Sequence, residues 1–114
     1  MEQLKDFMLL FRMQPSNQQP TPAQLNEMHQ QWGDFIGNIA MQGKLVSTYQ
    51  LGFEGKQIAA DQSTTEGVYV TNNQMLAGNM VLKAINIDQA VNLAKKCPIL
   101  LMGGVVEVRQ IQPM

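Results

Sequence analysis

Five consecutive apolar side chains, Phe7 to Phe11, open the chain's pattern, and Met13 follows two positions on. In an extended segment over residues 4–13, Phe7, Leu9, Phe11 and Met13 share one face, and Met8 and Leu10 share the other. Both faces are apolar, so the pattern predicts a strand covered on both sides. A polar stretch over residues 14–24, rich in Gln, Pro and Asn, then connects it to a helix. Thr21 is placed to cap that helix, Pro22 takes its first position, and Gln24 completes a capping box. Leu25, Met28, Trp32, Phe35, Ile36 and Ile39 recur at spacings of three and four, giving one apolar face, and Gly43 is a stop.

Residues 45–51 read as a second strand. Residues 52–71 read as a ribbon, with short strands at 56–60 and 67–71 around a polar loop at 61–66. A strand over 80–85 follows. A second helix over 87–97 has Asn86 as its cap and Ala90, Leu93, Ala94 and Cys97 as its stripe, and Pro98 ends it. Gly103 and Gly104 turn the chain into a last strand over 105–111. The order β-α-β, ribbon, β-α-β is a ferredoxin-like α+β plan, and right-handed crossovers place both helices on one sheet face. The other face of the first strand stays apolar. A second copy of the chain is the expected cover, which predicts a homodimer.

Composition narrows the functions. At 114 residues the chain fits a single domain, 1–114, and 45% hydrophobic against 15% charged residues argues for a packed core over disorder. A net charge of −1 provides neither the basic stripe of a nucleic-acid binder nor a polybasic membrane patch. The apolar run at 7–11 is too short to span a bilayer, and it follows charged residues with no cleavage-like segment behind it; the expected location is the cytoplasm. One cysteine, Cys97, excludes an intrachain disulfide and any multi-cysteine metal centre; His29 has neither a second histidine nor a carboxylate three or four residues away to complete a metal site, and no metal or cofactor is expected.

Several segments together resemble the YCII-related family in its DGPF-type branch. They are Phe7-Met8-Leu9-Leu10, Gly43-Lys44-Leu45, Ile87-Asp88-Gln89-Ala90-Val91, Cys97-Pro98-Ile99-Leu100 and the tail Gly103-Gly104-Val105-Val106-Glu107-Val108-Arg109. The resemblance implies a ferredoxin-like domain that dimerises sheet to sheet into an α+β barrel with a cleft. One branch of that family carries a His in the first helix and an Asp before the Pro that ends the second. Here Cys97 precedes Pro98, and the Asp-Gly-Pro-Phe motif is missing: Val70-Thr71 runs into Asn72-Asn73-Gln74. Both departures weaken the case for inherited catalysis.

His29, the only histidine, is a candidate general base or haem ligand, or a partly exposed structural residue at the margin of the helix stripe. It lies about one turn from where the family's helix histidine falls, counting back from Gly43. Glu107 and Arg109 share one face of the last strand. Since the first and last strands neighbour each other in this plan, Arg12 is expected close by. Two guanidiniums and a carboxylate would suit an anionic small molecule, or form a cross-strand or interface ion pair. Tyr49 is a further candidate lining residue. Cys97, on the stripe and at a helix C-terminus, reads as a small buried hydrophobe. Gly33 and Gly37 lie four apart in the first helix, either admitting a close neighbour or sitting on its exposed side. Three functions fit: a dimeric ligand-binding domain, a non-catalytic regulatory or interaction module, and a monooxygenase-like α+β-barrel enzyme.

Overall fold

The computed structural model describes residues 3–15 and 20–113, so the middle of the 14–24 connector lies outside the described residues. The chain runs β1 (Lys5–Met13), α1 (Pro22–Met41), β2 (Leu45–Gln50), β3 (Lys56–Ile58), β4 (Thr64–Glu66), β5 (Val70–Thr71), β6 (Gln74–Ala84), α2 (Ile87–Ala94), a 3-10 turn (Pro98–Met102) and β7 (Val105–Gln110). The main sheet is antiparallel in the order β2-β6-β1-β7, with β5 folded onto the start of β6. β1 lies between β6 and β7, with Leu9 opposite Met80 on one side and Val108 on the other. The sheet is open. Among the described residues of one chain it closes into no barrel.

Alternation on β1 decides where the core sits. Phe7, Leu9 and Phe11 join Met80, Leu82 and Ala84 of β6 on one sheet face, where Phe35 and Ile39 of α1 and Ala90 and Ala94 of α2 cover them. Both helices therefore pack on the same side. Alanine at 84, 90 and 94 lets α2 approach the sheet closely. Trp32 stands edge-on between Phe11 and Phe35, with ring centroids 5.3 and 5.9 Å away, geometry worth about 0.5–1.5 kcal/mol per pair beyond burial. No polar or charged residue is buried among those described, so apolar packing alone holds this core.

The punctuation of α1 is as its sequence requires. Thr21 Oγ1 accepts from the Gln24 amide at 3.2 Å, and Gln24 Oε1 accepts from the Thr21 amide at 2.9 Å. Gly43, at φ +69°, turns the chain out of the helix. Leu25, counted in the stripe, is exposed, because only the second half of α1 rests on the sheet. A side chain at Gly33 or Gly37 would meet nothing within 4 Å, so neither glycine admits a close neighbour in this chain.

The ribbon differs from its expected register. Its returning strand is β4, inside the segment read as a polar loop, and Gly67 at φ +95° ends it. Asp61 makes the turn possible: its carboxylate accepts from the Ser63 amide at 2.9 Å and hydroxyl at 2.6 Å. Val70 and Thr71 belong to a separate hairpin with β6, closed by Asn72 and Asn73, both left-handed at φ +51° and +59°. Asn tolerates that conformation. That pair therefore starts β6 at Gln74, six residues earlier than the expected strand. The second helix ends at Ala94 rather than at Cys97, and the chain resumes as the 3-10 turn at Pro98.

Candidate functional site

Cross-strand partners share a sheet face, so the register fixes which side chains meet opposite the helices. Met8 and Leu10 of β1 face that way, beside Val81 and Asn79 of β6 and Arg109 and Glu107 of β7. None of these belongs to the helix-covered core, and Met8, Leu10 and Val81 are only half-buried. Asp6 and Lys83 pair across one end of the face at 2.9 Å. Arg12 lies near the other end, beyond a register shift between Phe11 and Arg12.

Arg12 Nη1 donates to Glu107 Oε1 at 2.5 Å, and Arg109 Nη1 stands 3.7 Å from Glu107 Oε2. One carboxylate thus holds two guanidiniums, as the adjacency of first and last strands predicts. The Arg12 side chain is 32% exposed and that of Arg109 69%, so the first contact is the firmer one. An ion pair this exposed contributes about 1 kcal/mol at most. It fixes the direction of Arg12 more than it stabilises the fold.

The backbone of Arg12 is fixed too. Gly103, at φ +80°, ends the 3-10 turn, and a Cβ on Gly104 would come within 2.6 Å of the Arg12 carbonyl oxygen. The glycine pair therefore brings β7 tight against the end of β1.

Beside Arg12 the ribbon and the sheet flank an open cleft of about 520 Å³. Arg12, Gln74 and Leu76 line it from the sheet, and Glu54, Lys56, Gln57 and Tyr69 from the ribbon. Lys56 pairs with Glu66 at 3.1 Å, and the Gln57 amide donates to the Gly67 carbonyl at 3.3 Å. These contacts tie the two ribbon arms together beside the cavity. The ribbon residues escape sequence reading because their role depends on where the ribbon leans. The alternation in residues 56–60 shows a strand, not its neighbour.

The other candidates fall elsewhere. Tyr49 lies in one cross-strand row with Asn79, Leu10 and Glu107, on the same face but three strand spacings, roughly 14 Å, from the carboxylate. His29 is on the exposed side of α1, the helix that covers the opposite sheet face, and lines neither cavity described here. It does not join Arg12, Glu107 and Arg109. Cys97 is buried among the apolar residues of α2 and the 3-10 turn, and loss of water pushes its thiol up to about 11 against a weaker opposing hydrogen bond from Ile99. At neutral pH it is a protonated thiol and no nucleophile. Among the described residues no group of three or more His, Cys, Asp or Glu is placed to hold a metal ion.

A second, smaller groove of about 260 Å³ runs between α2, the 3-10 turn and β7, lined by Ile87, Val91, Leu100, Val106 and Val108 with Lys95. Among the described residues no helix is long and apolar enough to cross a membrane. No family model matches the sequence, and no curated protein is significantly similar to it.

Proposed function

We propose that this chain is a cytoplasmic, YCII-related domain of ferredoxin-like plan, that it works as a sheet-to-sheet homodimer, and that it binds a small anionic molecule in the Arg12 cleft. The observation that carries the ligand reading is the cleft itself. It has the size of a small-molecule site, apolar walls from Leu51, Val68 and Leu76, and two cationic side chains, Arg12 and Lys56, against the single carboxylate of Glu54 in its lining. A guanidinium pre-oriented by Glu107 presents its remaining N–H groups to a carboxylate or phosphate with little further ordering. The dimer is supported by the face that Met8, Leu10 and Val81 share, which neither helix reaches.

The regulatory-module reading uses the same uncovered face, with a different protein on it. A thermal-shift and calorimetric screen of small carboxylates and phosphates separates the two. The ligand reading expects at least one compound to bind, with Arg12→Ala weakening it tenfold or more and Arg109→Ala, outside the cleft, weakening it less. No binding across the screen, or binding that Arg12→Ala leaves unchanged, contradicts it.

A further inference from the structure

The ribbon is an arm whose strands join no other strand among the described residues. Its two strands pair only with each other, in a sheet separate from the main one, and a lone two-stranded hairpin is marginal in water. Phe53, Ile58 and Tyr69 are each about two-thirds exposed or more. The described residues form a plate of 48 × 43 × 20 Å with a radius of gyration of 15.8 Å, where a compact domain of this length has about 13 Å. That excess is what an arm standing out from the body produces.

The cleft shows which way the arm leans. Its lining combines ribbon residues with Arg12 and Leu76, which face away from the helices, and includes no residue of α1 or α2. The ribbon therefore stands beside the uncovered sheet face. Its charge complements that face: the ribbon carries Glu54, Asp61 and Glu66 against Lys56, while the face carries Arg12, Lys83 and Arg109 against Asp6 and Glu107.

From these observations we infer that the ribbon is a clasp for a second copy of this chain: each ribbon lays Phe53, Ile58 and Tyr69 against its partner, and the partner roofs the Arg12 cleft. This rests on the homodimer proposed above. It adds that the ligand site is finished only on assembly, because one wall of the cleft is the arm that grips the other subunit. In a two-fold dimer both clasps close at once, so ligand binding and dimerisation are coupled.

Site-specific thiol labelling tests this, since Cys97 is buried and leaves an introduced cysteine as the reactive one. Ile58→Cys and Tyr69→Cys are labelled with a maleimide across protein concentrations that span dissociation, followed in parallel by sedimentation velocity. Gln30→Cys on the exposed side of α1 is the control. The expected result is labelling at 58 and 69 that slows tenfold or more as the dimer forms, with the control unchanged. The double variant Phe53→Ser/Ile58→Ser is expected to raise the dimer dissociation constant at least tenfold. A dimer whose ribbon cysteines label at one rate throughout, or whose affinity ignores the double variant, overturns the clasp and leaves the dimer standing. A chain that stays monomeric overturns both.

Discussion

Cys97 is a residue that burial moves away from its behaviour in water. Burial raises its thiol from an ordinary 9.0 to about 11, so the folded state holds the proton over a range in which the unfolded chain releases it. The stabilisation this represents is fully present below pH 9 and is lost as the pH rises from 9 towards 11. Cys97→Ala removes the thiol and leaves a small void. The stability gap between wild type and this variant, from urea midpoints, is expected to narrow between pH 9 and 11 and to stay constant between pH 6 and 8. A gap that widens in the alkaline range would contradict the assignment. Arg12 is the opposite kind of residue, half in solvent and set by a carboxylate on one side and Gly104 on the other. Its neighbourhood to Glu107 was legible because alternation on two strands plus one topology rule places them together. The cleft was not legible, because nothing local in residues 52–71 says which way the ribbon leans.

At the scale of elements, caps and stops carried by a residue type made for the position are legible in the sequence, and a tight turn built without glycine is not. The capping box at Thr21, the stop at Gly43 and the Asn86 cap, whose Oδ1 accepts from the Gln89 amide at 2.8 Å, all stand where local chemistry puts them. The hairpin at Asn72-Asn73 has no such mark. Two adjacent asparagines are a weaker turn signal than Asn-Gly, although both adopt the left-handed conformation such turns need. Residues 64–66 contain no apolar side chain, so their pairing with β3 left no mark in the hydrophobic pattern. The glycines of α1 yield a direct prediction. Both lie inside a helix with open space where a Cβ would stand, so Gly33→Ala and Gly37→Ala are each expected to stabilise the protein by about 1 kcal/mol. Thermal or urea denaturation reads this, and a loss of stability at either position would show that something approaches the helix there.

Across the whole molecule one asymmetry organises the rest. Two helices cover one face of a five-stranded sheet, and the opposite face offers Met8, Leu10 and Val81 between two ion-paired ends. The ribbon stands beside that same face, with the cleft between them. Covering the face with a twin chain accounts for its apolar centre and its paired ends in a single arrangement, as well as for the extended outline of the lone chain. Sedimentation equilibrium of the purified protein at micromolar concentration tests this most directly. The account predicts a mass twice the 12.7 kDa of one chain, falling to the single-chain value in Leu10→Lys, which plants a charge at the centre of the face. A wild-type mass of 12.7 kDa, or a dimer that Leu10→Lys leaves intact, would contradict it.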